Sequence, residues 1–237
     1  MKINRKILVV DVETRPATAY VWRTFKENIG YEQVIDPGGI ICWAAKWLDE
    51  PELTFRSEWA HGRAEMVRKI HEMLCEADAV ITYNGDKFDL PKLNGEFLLD
   101  GLPPVPPITS IDVLKTIRKF GFLMNRLAFI GPLLRVGGKV KHEGFELWTK
   151  VMNGDEKARA KMEKYNVQDV VLLEKLYKKI RPYIKNHPHL GVDKHECGAC
   201  GSKKTQSRGY RRTKTFKIQR IQCQKCGAWS DGVRTKV

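Results

Sequence analysis

Four consecutive aliphatic residues, Ile7 to Val10, run directly into Asp11-Val12-Glu13. A short apolar run of this kind reads as a buried strand. Residues two apart on a strand point to the same face. Asp11 and Glu13 therefore project together from the end of an apolar strand. Two carboxylates so placed repel each other and lose solvation unless a positive group lies between them. A hard divalent cation would serve; a solvated loop is the plainer alternative.

The chain has 237 residues, enough for one large domain and a small one. Its net charge of +14 is uneven. Residues 191–237 hold 12 Lys+Arg against 3 Asp+Glu, a net of +9, which leaves +5 for the rest. A tail this basic suits a polyanionic partner. No apolar run is long enough to span a membrane, and the N-terminal run is too short for a signal-peptide core. The expected location is cytoplasmic, in the host cell if the protein is viral, with no membrane partner.

Along the chain, strands are predicted near 6–12, 40–47, 53–59, 79–83 and 108–112. Helices are predicted near 62–76, 88–99, 113–120 and 155–183, with a short or broken one at 125–135 around Gly131-Pro132. Residues 14–38 form a long connection with Tyr20, Trp22, Phe25 and Tyr31 among basic residues, and a short helix near 18–28 is possible. These aromatics would either stack on nucleotides or pin the connection to the core. Residues 137–150 are expected to be a loop whose Phe145 and Trp148 line a substrate path or pack in the core. Cys42 and Cys75, isolated among apolar neighbours, are expected in the core. The order of elements gives an α/β fold, a mixed sheet flanked by helices.

Two further carboxylates stand out. Ala158, Met162, Tyr165, Asp169, Leu173, Leu176 and Ile180 share one face of the long helix. A charge within that apolar stripe is costly unless compensated. Tyr165 lies one turn from Asp169, so both can act on one point. Asp89, in Tyr83-Asn-Gly-Asp-Lys-Phe-Asp89, lies where a strand hands over to a helix. It is either an N-cap or a site residue at the strand ends. Asp112 has the same ambiguity, with a cap favoured.

The order D-x-E, N-x-x-x-F-D and Y-x-x-x-D resembles the three motifs of the DEDD superfamily of 3′–5′ exonucleases, DnaQ-like and ribonuclease-H-like. The resemblance covers roughly residues 5–183 and is nearest to the Y-x-x-x-D subgroup; the stretch after Glu13 and the run Met162–Val170 resemble bacteriophage exonuclease domains in particular. The resemblance implies a ribonuclease-H-like five-stranded sheet. It implies two Mg²⁺ or Mn²⁺ ions held by Asp11, Glu13, Asp89 and Asp169, with Tyr165 orienting the attacking water. Thr14 would lie near the terminal nucleotide, with Glu13 closest to it among the carboxylates. The product would be a nucleoside 5′-monophosphate. DNA, single-stranded, is the expected substrate, and RNA remains open. A DNA polymerase or another replication or repair protein would be a partner, with proofreading in trans. The rival readings are a structure-specific endonuclease on the same fold and an inactive nucleic-acid-binding protein.

The tail carries Cys197-Gly-Ala-Cys200-Gly and Cys223-Gln-Lys-Cys226-Gly, with 22 residues between the pairs. Four thiolates in this arrangement suit a closed tetrahedral Zn²⁺ site, and the module resembles a zinc ribbon. Between the knuckles lie Lys203, Lys204, Arg208, Arg211, Arg212, Lys214, Lys217 and Arg220, with no acidic residue among them. A basic hairpin of this kind suits a phosphate backbone. The expected division is a nuclease domain over 1–183, a linker over 184–194 and a zinc ribbon over 195–237.

Overall fold

In the computed structural model, which describes residues 6–185, 187–191, 193 and 195–237, the Ile7–Val10 run begins a nine-residue strand, β1 (Ile7–Arg15). Two short strands follow, β2 (Thr18–Ala19) and β3 (Val34–Asp36), then the long β4 (Gly39–Trp47) and β5 (Leu53–Ser57). Next come α1 (Glu58–His61), α2 (Arg63–Glu76), β6 (Ala79–Thr82), α3 (Asp89–Leu99) and β7 (Thr109–Asp112). The helices α4 (Val113–Ile117), α5 (Leu127–Leu133), α6 (Phe145–Met152) and α7 (Glu156–Ile180) complete the larger part. The tail holds β8 (Thr205–Arg212), β9 (Phe216–Cys223) and β10 (Trp229–Lys236).

The main sheet has the order β5-β4-β1-β6-β7. The first three strands are antiparallel neighbours, while β1–β6 and β6–β7 are parallel. This is the expected mixed five-stranded sheet. The alternation of β1 sorts its side chains between two cores. Ile7 and Val9 pack with Leu173, Leu176, Tyr177 and Ile180 of α7. Leu8, Val10 and Val12 pack with Met66, Ile70 and Leu74 of α2. Each such buried side chain contributes about 1.5–3 kcal/mol. Asp11 and Glu13 therefore fall on the α7 face of the sheet.

The ends of α7 follow from its sequence. The Asp155 carboxylate accepts from the Ala158 amide at 3.0 Å, a cap on the first turn. At the other end Arg181–Tyr183 tightens into a 3₁₀ turn containing Pro182, which has no N–H to continue the ladder.

Several expectations need correction. The segment 14–38 contains no helix near 18–28. Instead β2 and β3 pair as a small ribbon beyond β1 and β4. Tyr20, Trp22, Phe25 and Tyr31 are exposed, Trp22 to 94%, so they do not pin the segment to the core. The strand expected to Trp59 ends at Ser57, where α1 begins. The loop expected over 137–150 contains the start of α6, which buries Leu147 and Val151 at helical spacing. Phe145 is exposed. Cys42 is buried as expected, but Cys75 is exposed, because it falls off the buried face of α2.

The tail forms a separate antiparallel sheet of order β10-β9-β8. Its third strand was not foreseen. Ile184 is buried against the main core and Leu190 packs on it, while the Tyr177 hydroxyl and His187 Nε2 are 2.6 Å apart. The segment expected as a linker is thus partly docked on α7; its residues 186, 192 and 194 lie outside the described residues. No helix among the described residues is long and apolar enough to cross a membrane.

Candidate active site and cysteine centre

Asp11 and Glu13 meet Asp169 across the interface between β1 and α7. Carboxylate oxygens of the three lie within 4.8 Å of one another. Asp169 is 1% exposed, and its Oδ1 is buried without a hydrogen-bond partner. At an effective dielectric near 20, each pair of ionised carboxylates at such a separation costs roughly 3–4 kcal/mol. The acids respond by holding protons. Burial, then the neighbouring Asp169, pushes Glu13 up to about 8. Burial and the charges of Glu13, Asp89 and Asp169 push Asp11 well up. Burial also raises Asp169, against the opposing pull of Lys139.

Asp89 reaches the same region from α3, outside the three-carboxylate group. Its Oδ1 accepts from the Val12 amide at 3.1 Å. That amide is available because the β1–β6 pairing stops at Val9–Ile81, so the two strands part there and admit the start of α3. Burial raises Asp89 to about 7, although the Val12 hydrogen bond opposes the shift. Asp89 is the first residue of α3, the N-cap position before it being Phe88. Asp112, in contrast, is a cap, accepting from Leu114 at 3.0 Å and from the Asn84 amide at 2.8 Å. Thr14, next along β1, is half-buried beside a bulge where the β1–β4 register shifts.

Two residues of the cluster escaped sequence reasoning. The Lys139 ammonium donates to Asp169 and to the Tyr165 hydroxyl, the latter at 3.0 Å. Burial alone would lower its pKa, but Asp169 and Tyr165 raise it, so it stays charged. Asn166 is fully buried and donates through Nδ2 to the Asp11 carboxylate at 2.8 Å and to the Asp11 carbonyl at 3.2 Å. It ties α7 to β1 at the level of the acids. Tyr165 is flanked edge-on by His142 and Trp148, with ring centroids 4.8 and 6.1 Å away. Burial, then Asp169, raises its phenol far above the ordinary value, so it remains protonated.

The cluster opens into a groove of 720 Å³. Asp11, Lys139, His142 and Tyr165 line one part, and Asn84, Arg118, Asn125 and Arg126 another. Buried acids beside a cationic groove form an arrangement able to hold divalent cations and an anionic chain together. Three clustered carboxyl groups, with the Asp169 Oδ1 among them unpartnered, face a single lysine and call for added positive charge when ionised. All-oxygen donors of this kind fit Mg²⁺ or Mn²⁺.

In the tail, the four cysteine sulfurs lie within 4.8 Å of one another. Cys197–Cys226 and Cys200–Cys223 have Sγ–Sγ distances of 3.7 Å, far beyond a disulfide bond. A tetrahedron with metal–sulfur bonds of about 2.3 Å has edges of about 3.8 Å. The separations therefore fit a tetrahedral metal site. Of the basic residues expected here, Lys203, Lys204, Arg208, Arg211, Arg212, Lys214 and Arg220 are exposed and Lys217 is half-buried. Arg211 is not free, being paired with Asp231 of β10 at 2.7 Å. Lys217 lies over the Tyr210 ring at 4.3 Å.

Comparison with known proteins agrees with this architecture. Residues 36–181, more than half of the chain, match the family model described as RNase_H superfamily. The chain is similar to the structure of the family B DNA polymerase from the hyperthermophilic archaeon Pyrobaculum calidifontis, with a TM-score of 0.58 and 17% identity. That match covers 75% of this chain and 25% of the polymerase chain, so this chain spans about a quarter of the polymerase's length. No curated protein matches the sequence.

Proposed function

This chain belongs to the RNase_H superfamily, and we propose that it is a metal-dependent 3′–5′ exonuclease of the DEDD type, acting on single-stranded DNA. The observation that carries this reading is the approach of Asp11, Glu13 and Asp169 to within 4.8 Å of one another, one helical turn from Tyr165. The ordered motifs D-x-E, N-x-x-x-F-D and Y-x-x-x-D support it, as does the cationic groove beside the acids.

Asp11, Glu13 and Asp169 would hold one Mg²⁺ or Mn²⁺, and Asp89 with Asp11 a second. When bound, the ions activate a water as nucleophile and stabilise the leaving 3′ oxygen. The chain's own residues do the positioning. Asn166 fixes the orientation of Asp11 through two hydrogen bonds, and the Val12 amide fixes Asp89. Tyr165 keeps its proton and is held by Lys139, placed to orient the attacking water. Thr14 lies beside the terminal nucleotide. Arg118 and Arg126 receive the phosphates that follow. The product is a nucleoside 5′-monophosphate.

The tail, as a zinc ribbon over 195–237 joined through 184–194 to the nuclease domain over 1–183, would add affinity for the phosphate backbone. The 3.7 Å sulfur separations support one structural Zn²⁺ on Cys197, Cys200, Cys223 and Cys226. Its exposed cations, and Lys217 stacked on Tyr210, support the grip. A polymerase or other replication or repair protein would be the partner in whose service the enzyme trims 3′ ends.

The deciding experiment uses single strands labelled at either end, linear or covalently closed, with Mg²⁺ or Mn²⁺. Stepwise shortening from the 3′ end, absent on circles, is expected. Cutting of circles would assign the site to an endonuclease. No cutting of either would leave a nucleic-acid-binding protein.

A further inference from the structure

A line of exposed cations and aromatic rings leads away from the acids and ends between the nuclease domain and the tail. It starts at Arg118, which lines the groove beside Asp11. Two residues on, Phe120 sets its ring edge-on against Tyr183, with centroids 5.3 Å apart. Phe120 is partly exposed, and Tyr183 is 62% exposed. Tyr183 then forms a wall of a second groove, of 890 Å³, together with Lys185, Arg211, Arg220, Trp229 and Asp231. Trp229 is 55% exposed, with the Arg220 guanidinium over its ring at 6.0 Å. Asp231, the one carboxylate on this groove's lining, is already engaged by Arg211 and Arg234.

Rings this open are not contributing to either core. Their companions are cations, so the belt complements a polyanion whose bases offer flat apolar faces. That combination is the one by which single strands are held without regard to sequence. We propose that this belt is the path of the substrate strand, and that the Tyr183–Trp229 groove holds bases several nucleotides to the 5′ side of the scissile bond.

The helix supplies a ruler. Asp169 and Tyr183 are fourteen positions apart, almost all helical, which at ~1.5 Å per residue is about 21 Å. Stacked nucleotides advance ~3.4 Å each, so the groove lies about six nucleotides from the acids. A strand shorter than that cannot occupy both places with its bases stacked. The tail's position at this end of α7 then has a function: it completes a second wall for the strand, with the metal site bracing β9 and β10 so that Trp229 and Arg220 stand opposite Tyr183.

The proposal rests on the nuclease reading only for which end of the strand lies at the acids. It is tested on binding alone. The intact chain is titrated without added Mg²⁺ or Mn²⁺ and without chelator, so that cleavage is withheld and the tail keeps its metal, against fluorescent oligothymidylates of four to sixteen nucleotides. Affinity is expected to rise steeply, by about tenfold, as length passes roughly six nucleotides, and then to flatten. Trp229→Ala and Tyr183→Ala are each expected to remove the step, with curves that rejoin the wild type at four nucleotides. Zinc content and the far-UV spectrum check that Trp229→Ala keeps the tail folded, and Tyr183→Ala tests the path from the other module. A smooth length dependence in the wild-type chain, or a step that survives both substitutions, would overturn the path. Absence of 3′ shortening in the separate cleavage assay, with the length step intact, would overturn the nuclease reading and leave the path standing.

Discussion

The Lys139 ammonium donates to the Tyr165 hydroxyl at 3.0 Å while also pairing with Asp169. One cation thus faces the acids at the point where the proposed metal ions would bind. Without metal it is the chief compensation for Asp169. With metal that duty passes to the ions, and Lys139 is left to hold Tyr165.

Lys139→Met should therefore destabilise the metal-free protein more than the metal-loaded one. Removing one partner of a buried pair costs about 3–5 kcal/mol; the partial exposure of Lys139 places the expected loss below that range. Thermal unfolding in EDTA and in saturating Mn²⁺ checks this. An equal drop under both conditions would show that Lys139 does not substitute for metal charge.

The metal-free protein should also lose stability as pH rises from about 4.5 to 8. Glu13 in the fold keeps its proton to about 8, against an ordinary value of 4.5, and Asp89 keeps its own to about 7 against 3.8. Between these limits the folded state binds more protons than the unfolded state, so stability falls with increasing pH. One such proton gives a slope approaching ~1.4 kcal/mol per pH unit. Denaturant titrations in EDTA across this range measure it. Glu13→Gln should flatten the slope, and saturating divalent cations should abolish it, because binding displaces the same protons and leaves folded and unfolded states equally deprotonated over most of this range. A metal-free stability that climbs between pH 5 and 8 would contradict the picture of crowded acids.

Much of this site was legible because it sits on regular elements. The two-residue period of β1 places Asp11 and Glu13 on one face, and the helical stripe of α7 places Asp169 opposite them. Lys139 was not legible. It lies between α5 and α6, in a stretch with no period, and its position depends on close backbone packing: a Cβ on Gly131 would come 2.7 Å from the Gly137 carbonyl oxygen. Only glycine lets the chain pass there and deliver Lys139 to α7. Asn166 was legible in principle, since a polar residue four after Met162 and three before Asp169 also falls in the stripe. The stripe alone does not distinguish it from its neighbour Tyr165. Helix α6 was missed because eight residues carry too little periodicity to separate it from a loop. Strand β10 has almost no buried residue, so hydrophobic alternation could not announce it.

Asp169→Asn keeps the shape of the site but removes a charge that the proposed metal triad needs. Cleavage should fall by roughly 10²–10³-fold or more, while binding of a sixteen-nucleotide strand without added Mg²⁺ or Mn²⁺ and without chelator changes by less than about threefold. End-labelled cleavage and anisotropy titrations measure the two separately. Near-normal cleavage would remove Asp169 from the metal site; a large loss of binding would mean that its role is in holding the strand.

The four cysteines should bind one Zn²⁺ per chain, and removing it should dismantle the tail without dismantling the main sheet. The tail's core is small: besides the cysteines, its buried side chains are Ile218 and Ala228. Apolar burial of that size is far below what the ordering of its strands costs, so the metal must supply most of the folding energy. Cys226→Ser is therefore expected to lose zinc and the dispersed amide signals of β8–β10, while the thermal transition of the main domain persists. Binding to single strands should weaken, and its dependence on salt should become shallower as the tail's cations lose their alignment on the phosphates. Metal analysis, an amide spectrum and a salt titration on the same variant separate these effects. A tail that stays folded without zinc would mean that its strands are held by docking on α7. An unchanged salt slope would mean that the phosphates are gripped elsewhere, by the groove beside the acids.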